Sequence, residues 1–197
     1  MGQFSRDEID EAFRHYYLTG PVNEQWVDWA NLFTDDALYH DHFWGIFRGP
    51  EEIVQFIEGT MASAPQVYTL LMWYAIDDGK AIYKVINRCD NPEPGGRPFD
   101  FESLQVVTYA GNGRWSAEED WWIMAESKAW GKAYADAAAA HDPNHASKMT
   151  RLDWSESLEW ARPAPGSHPK PSWLGRADVK VVRSLRDMTA GVRTSAR

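Results

Sequence analysis

The N-terminal third of the chain carries apolar side chains at the spacing of amphipathic helices. Ser5 and Glu8 fit a capping box, which predicts the start of a first helix. The apolar stripe of this helix comprises Ile9, Ala12, Phe13, Tyr16 and Tyr17. A second helix is predicted to carry Trp26, Trp29, Ala30 and Phe33 on one face. A short strand over residues 37–43 follows, and Gly49 and Pro50 begin a third helix, because proline suits a first turn that needs no amide donor.

From residue 67 onward the pattern changes to the alternation of β-strands. Four segments are rich in β-branched and aromatic residues, namely 67–76, 81–89, 99–109 and 114–124. The sequences Asp78-Gly79 and Gly111-Asn112-Gly113 predict hairpin turns between them. Helices followed by hairpin-connected strands indicate an α+β domain, in which an antiparallel sheet curls around the helices.

The last third of the chain is predicted to be helical at first and extended afterwards. A helix is expected over residues 126–141, and Asp142-Pro143 ends it, since the residue before a proline avoids the helical conformation. Residues 163–171 form a Pro-rich, stiff linker, and residues 177–188 are expected to form a last, basic helix.

The charge of the chain changes sign after residue 141, where the predicted helix ends. The net charge of −9 combines −13 in residues 1–141 with +4 in residues 142–197. An acidic body repels phosphate backbones, so we expect no nucleic-acid partner. Large apolar side chains in the second part are costly to leave in water: Leu152, Trp154, Trp160 and Trp173. We therefore expect one domain over residues 1–141 and a Pro-rich, basic extension over residues 142–197 that docks on the body or on a partner subunit.

Composition excludes several classes of protein. Hydrophobic residues make up 44% of the sequence, yet no apolar run approaches the length that a bilayer requires. The first residues are polar and acidic, unlike a secretory leader. The single cysteine, Cys89, cannot form an internal disulfide. We expect a cytoplasmic protein with no membrane partner.

The segment WANLFTDDALYHDHFWGIFRGPEEIVQFI, residues 29–57, resembles the signature of the nuclear transport factor 2-like superfamily, which includes SnoaL-like polyketide cyclases and ketosteroid isomerases. The resemblance covers residues 5–130. It implies a cone-shaped half barrel, in which a curved antiparallel sheet is closed by three N-terminal helices around an apolar pocket. It also implies a homodimer formed through the outer face of the sheet. Enzymes and non-catalytic binding modules share this fold, so fold alone leaves the function open.

Strand alternation sorts the residues of YHDHFWG, which begins at Tyr39. Tyr39, Asp41 and Phe43 share one face, and the two histidines share the other. The resemblance to ketosteroid isomerases implies that Asp41 is the proton-shuttling base and that Tyr17 donates to the substrate oxyanion. A carboxylate among aromatic rings has a raised pKa and suits proton abstraction beside a carbonyl. The alternative is an Asp41 that caps a turn and a tyrosine that only packs.

The AEEDWW segment supplies a second group of acids. Glu118 and Asp120 share one face of the predicted strand, whereas Glu119 shares the other with Trp115 and Trp121. The resemblance to polyketide cyclases implies a general acid/base at Asp120 or Glu119. Three consecutive acids also fit a solvated strand face.

Further polar residues are candidates for the pocket wall. We expect Tyr39, Phe43, Tyr83, Asn87, Gln105 and Glu119 to contact substrate. Gln105 or Ser103 stands where ketosteroid isomerases carry a second, protonated acid, and this difference disfavours a steroid isomerase.

Metal and nucleophile chemistry has weaker support. His40 and His42 can supply two imidazoles, but a metal site needs a third ligand, and no spacing in the sequence identifies one. No nucleophile elbow or glycine-rich phosphate loop is present in the sequence. We therefore expect no metal and no cofactor.

The sequence supports three hypotheses for function. The first is a cofactor-independent acid/base enzyme, an isomerase or cyclase, acting on a small, mostly apolar, oxygenated molecule such as a polyketide, steroid or terpenoid. The second is a dehydratase that uses Tyr17, Tyr39 and a histidine with a pocket acid. The third is a non-catalytic module that binds a small ligand or a protein. An Asp41 satisfied by backbone amides favours the third.

Overall fold

A computed structural model describes residues 4–188. Its α-helices are α1 (Arg6–Tyr17), α2 (Trp26–Ala30), α3 (Gly49–Ser63), α4 (Met124–His141) and α5 (His145–Lys148). A π-helical turn, Leu18–Val22, extends α1, and a 3₁₀ turn spans Glu159–Ala161. The predicted capping box is present, because Ser5 Oγ accepts a hydrogen bond from the amide of Glu8 at 3.1 Å. No helix in the described part of the chain is long and apolar enough to cross a membrane.

Six strands form one curved sheet. They are β1 (Phe33–Asp41), β2 (Gly45–Arg48), β3 (Tyr68–Asp77), β4 (Lys80–Cys89), β5 (Phe99–Gly111) and β6 (Arg114–Trp122). Their order across the sheet is β2-β1-β6-β5-β4-β3. The predicted α+β cone is confirmed, with α1, α2 and α3 closing its concave side.

Two features of the sheet differ from the prediction. The sheet is not wholly antiparallel, because β1 and β6 pair in parallel while the other neighbours are antiparallel. A parallel pair needs a long connection, and α3 together with β3–β5 provides it. The short strand β2 was not predicted, and Phe33 begins β1 instead of ending the second helix.

The core lies between the three N-terminal helices and the concave face of the sheet. The largest fully buried side chains there are aromatic: Phe13, Tyr16, Tyr17, Trp29, Phe33 and Trp115. The position of Trp115 corrects the prediction from alternation. The pairing of β5 with β6 shifts register at this point, from Thr108 opposite Ala117 to Tyr109 opposite Trp115, so Ser116 is an extra residue. Trp115 therefore faces the core, on the same side as Glu118 and not beside Glu119.

The described part of the C-terminal extension lies on this same body. The Trp160 ring packs against the rings of Phe13, Tyr17 and Tyr74, with centroids 5.7–6.2 Å apart. Arg176 Nη1 lies 2.8 and 2.9 Å from the two carboxylate oxygens of Glu58 in α3. Trp160 thus supplies apolar contacts and Arg176 supplies positive charge for docking on the acidic body, whereas Leu152, which was also expected to dock, is 75% exposed.

The predicted last helix, residues 177–188, does not form. Instead this segment consists of turns and irregular backbone, and it contacts α3 where the amide of Val182 donates to the carbonyl of Gly59 at 2.9 Å. A Cβ at Gly59 would lie 2.7 Å from the carbonyl oxygen of Lys180, so glycine permits this close approach.

Candidate active site

A cavity runs between the helices and the concave face of the sheet, and it has two adjoining chambers. The outer chamber has a volume of about 250 Å³ and opens beside α4, whereas the inner chamber has about 110 Å³ and lies beneath α1. The two chambers share one set of wall residues: Tyr39, Ile57, Met61, Asn87, Gln105 and Asp120.

The parallel pairing of β1 with β6 brings the acids together. Asp41 lies directly opposite Asp120 in the register, and both side chains are buried and line the outer chamber. Gln105 of β5 lies opposite Asp120 on its other side. Two carboxyl groups therefore face one small, mostly apolar space.

Asp120 has one oxygen held and one free. Its Oδ2 accepts a short hydrogen bond from the Tyr39 hydroxyl. Its Oδ1 is buried and has no hydrogen-bond partner among the described residues. Burial raises the pKa of Asp120 well above its usual value, and the charges of Glu118 and Asp41 raise it further.

Glu118 lies two residues before Asp120 on the same face and is held more firmly. Its Oε2 accepts from the Tyr16 hydroxyl at 2.5 Å, and its Oε1 accepts from the Tyr83 hydroxyl at 3.0 Å. Burial raises the pKa of Glu118 as well, although these two phenols lower it in part. Two adjacent buried carboxyls do not both ionise readily. The hydrogen bonds from Tyr16 and Tyr83 lower the pKa of Glu118, whereas the charges of Glu118 and Asp41 raise the pKa of Asp120.

Asp41 accepts three hydrogen bonds. Its Oδ1 accepts from the backbone amides of Phe43 and Trp44 at 2.8 and 2.7 Å, and its Oδ2 accepts from Trp122 Nε1 at 3.2 Å. Burial raises the pKa of Asp41, and these three donors oppose that rise. The cavity thus places Asp41, whose carboxyl group accepts three hydrogen bonds, opposite Asp120, whose pKa is raised by burial and by neighbouring charges, an arrangement suited to acid/base chemistry.

Most of the predicted pocket residues line the cavity. Tyr39, Asn87 and Gln105 line both chambers, and Tyr83 lines the inner one. Tyr17 also lines the inner chamber, but its hydroxyl donates to the carbonyl of Thr69 at 3.1 Å. Tyr17 and Asp41 were expected in one cavity with their polar atoms facing it, whereas here they lie in different chambers.

Two predicted contact residues lie outside the cavity. β1 ends at Asp41, so Phe43 belongs to the turn that Asp41 caps and is 37% exposed, and Trp44 takes its place in the wall. Glu119 points to the outer face of the sheet, where its Oε1 lies 2.7 Å from His42 Nε2. Glu119 therefore does not fit the predicted contact with a substrate in the cavity.

Comparison with known proteins agrees with this architecture. A family model described as the SnoaL-like domain matches residues 13–118, more than half of the chain. The chain belongs to the SnoaL-like domain family. No curated protein sequence matches it.

Solved structures similar to this SnoaL-like protein share its fold at low sequence identity. A protein with a ketosteroid isomerase-like fold from Catenulispora acidiphila, in complex with trimethylamine, is 16% identical with a TM-score of 0.50, over 67% of this chain and 98% of that chain. A protein named as a SnoaL-like polyketide cyclase from Jannaschia sp. is 12% identical with a TM-score of 0.52, and the match covers 65% of this chain and 93% of that chain. A third structure is SalBIII, an epoxide hydrolase/cyclase-like enzyme with a role in pyran ring formation in the polyether salinomycin. It is 16% identical with a TM-score of 0.50, and the match covers 62% of this chain and 95% of SalBIII.

Sequence reasoning missed part of the site of this SnoaL-like domain. The outer chamber has an aromatic wall made of Trp44, Phe101, Trp122 and Trp130. Trp130 comes from α4, an alanine-rich helix whose apolar side chains form no clear stripe, so the pattern gave no signal for it. Glu118 could have been found, since alternation already placed it on the Asp120 face.

Proposed function

We propose that the protein is a cofactor-independent acid/base enzyme that acts on a small, uncharged, mostly apolar molecule containing a carbonyl group. The observation that carries the proposal is Oδ1 of Asp120, which is buried without a hydrogen-bond partner among the described residues on the strand position opposite Asp41. A buried polar atom without a partner costs about 1–3 kcal/mol, and a substrate oxygen accepting its proton removes that cost.

The proposed reaction begins with proton transfer at a carbon next to the carbonyl. Asp41 accepts that proton, while the proton of Asp120 Oδ1 is donated to the carbonyl oxygen, and an enol forms. Return of a proton to a different carbon gives an isomer. Attack of the enol carbon on a second carbonyl of the same molecule closes a ring: the enol hydroxyl returns its proton to Asp120 as the first carbonyl reforms, and Asp41 gives its proton to the oxygen of the second carbonyl, which becomes a hydroxyl group. Tyr39 holds the Asp120 carboxyl in place during both proton transfers.

The side chains that line the cavity favour an uncharged, partly aromatic substrate. The residues that line the two chambers include no Lys, Arg or His among those described, so nothing there neutralises an anionic substrate. The indole and phenyl rings of the outer chamber favour a flat apolar skeleton. The names of the similar proteins from Jannaschia and of SalBIII support ring closure on a polyketide as the reaction class.

Solvent proton exchange tests this proposal directly. A panel of cyclic ketones, β-diketones and hydroxy-ketones is incubated in D₂O, and deuterium uptake at the carbon next to the carbonyl is followed by NMR. We expect the wild-type protein to exchange at least one of these probes, and Asp120→Asn and Asp41→Asn each to lower the rate by about 10²-fold or more, the usual contribution of a general acid or base.

A matched acid outside the cavity provides the control. Glu102 lies on the outer face of β5 and pairs with Lys84 at 2.7 Å, so Glu102→Gln should exchange at the wild-type rate. Folding of each variant is checked by its circular dichroism spectrum and melting temperature. Exchange that is equally fast in the wild type and in Asp120→Asn would overturn the proposal.

A non-catalytic ligand-binding module is the second candidate. The observation that favours it is the pair of backbone amides on Asp41 Oδ1, which gives Asp41 a structural role as the cap of the turn at residues 42–44. This candidate predicts saturable binding of an apolar probe without any deuterium uptake. The dehydratase hypothesis has less support, because no described histidine lines either chamber.

A further inference from the structure

The outer face of the sheet carries a compact group of imidazole and carboxylate side chains behind the cavity. His40 and His42 come from the end of β1, and Glu119 comes from the adjacent β6, directly opposite His40. The three side chains are 38–42% exposed. They therefore reach solvent from two neighbouring strands.

The donor atoms are already close together. Glu119 Oε1 lies 2.7 Å from His42 Nε2 and 3.8 Å from His40 Nδ1, and one donor atom from each of the three residues lies within 4.8 Å of the others. Zinc binds imidazole nitrogen and carboxylate oxygen at about 2.0–2.2 Å, which places tetrahedral ligand atoms roughly 3.3 Å apart. Rotation of exposed side chains suffices to reach that spacing.

The surroundings leave these donors available. His40 pairs with Ile46 on its other side, and Glu119 pairs with Val106, so apolar residues flank the group along the sheet. In the described part of the chain, Glu119 makes ion pairs only with these two histidines. The two imidazole rings stack with centroids 4.2 Å apart, and one nitrogen of each ring lies within 3.8 Å of Glu119 Oε1.

We propose that His40, His42 and Glu119 form a binding site for one divalent transition-metal ion, with Zn²⁺ as the best match. Two imidazoles and one carboxylate are a donor set that zinc accepts in proteins, and water fills the open position. The bound ion would join the end of β1 to β6, immediately behind Asp41 and Asp120. The site lies outside the cavity, so its predicted effect is to stabilise the β1–β6 pair and not to take part in proton transfer.

Calorimetric titration with ZnCl₂ tests the site, using full-length protein without an affinity tag and treated with a chelator beforehand. We expect one ion per chain in the wild type, and an affinity at least about tenfold weaker in His42→Ala and in Glu119→Gln. His15→Ala is the matched control, since His15 is an exposed histidine of α1 far from this group. Its affinity should equal that of the wild type.

A spectroscopic probe keeps the test decisive if a variant folds poorly. Co²⁺ added to the wild type should produce visible absorption bands of a tetrahedral nitrogen and oxygen site, and stoichiometric Zn²⁺ should remove them. The proposal would be overturned by absence of zinc binding in the wild type, or by equal affinities in the wild type and both variants. Because neither readout uses turnover, a failure here leaves the proposed function intact.

Discussion

The hydroxyl of Tyr39 donates to Asp120 Oδ2 across the parallel β1–β6 pair, and Oδ1 of the same carboxyl group is buried without a hydrogen-bond partner among the described residues. One oxygen is thereby oriented, and the proposed function assigns the other to the substrate. This single contact links the unusual parallel pairing of the sheet to the proposed chemistry.

Loss of the Tyr39 hydroxyl should change the pH dependence of proton exchange. The phenol lowers the pKa of Asp120, so Tyr39→Phe should raise that pKa further and move the high-pH limb of the rate profile to higher pH. Tyr68→Phe is the control, because Tyr68 donates to Asp90 at 2.7 Å outside the cavity. Each variant should lose about 1 kcal/mol of stability, but only Tyr39→Phe should shift the profile.

Stability should fall as pH rises from the usual pKa of a glutamate, 4.5, toward neutrality. Glu118 and Asp120 have raised pKa values in the folded state, so the folded protein binds more protons than the unfolded chain in this window. Glu24 contributes in the same direction, since burial raises its pKa to about 7. Protonation of these three acids therefore stabilises the folded protein at low pH. This stabilisation is lost as the pH rises and the acids ionise in the folded state.

A variant isolates the contribution of the cavity acids. Glu118→Gln cannot ionise, so its melting temperature should vary less with pH between 4.5 and 7 than that of the wild type. Glu102→Gln removes an exposed acid and should retain the wild-type slope. Thermal unfolding measured across this range checks both. Identical slopes in all three proteins would show that the cavity acids do not titrate in this window.

Removal of Trp160 should loosen the extension from the body. Trp160→Ala deletes a half-buried ring that contacts Phe13, Tyr17 and Tyr74, which should cost about 2–3 kcal/mol of unfolding free energy. Leu174→Ala, in the same extension but 45% exposed, should cost much less. Deletion of residues 150–197 should lower stability further. Urea unfolding measures all three, and a truncated protein as stable as the full chain would contradict this account.

Chelation should separate the cavity chemistry from the outer-face site. EDTA should leave proton exchange at the wild-type rate, because both proposed catalytic groups are carboxyls of the chain itself. The melting temperature of zinc-loaded protein should fall on chelation, since a ligand that binds only the folded state stabilises it. Exchange that disappears with EDTA and returns with Zn²⁺ would move the ion into the reaction.

A homodimer stays a prediction. Large apolar side chains are exposed on β3, β5 and β6, namely Trp73, Leu104 and Trp121, 37–46% exposed. Exposed apolar groups of this kind favour association. Light scattering after size-exclusion chromatography should give twice the chain mass of 22.5 kDa, and Leu104→Arg should lower it. Leu152→Arg, at a site 75% exposed on the extension, should not. A monomeric wild type would refute the prediction.

The fold class and the direction of several key side chains follow from the sequence pattern. Helical and alternating periodicities depend on local backbone geometry, which is why they placed the α1 stripe and the hairpins, put Asp41 on one face with Tyr39, and separated Asp120 from Glu119. They left open which of Asp120 and Glu119 faces inward. They failed where a local irregularity changes the alternation. The extra residue Ser116 turns Trp115 inward, and the turn capped by Asp41 turns Phe43 outward.

How these faces meet depends on contacts between distant segments of the chain. Nothing in the local pattern specifies that β1 pairs in parallel with β6. This pairing places Asp41 opposite Asp120 and His40 opposite Glu119, although the residues of each pair are 79 positions apart in the sequence. Such pairing depends on the burial of the whole sheet against the helices. The protonation states of the acids likewise depend on burial and on which phenols reach them, and both arise only when distant segments pack together.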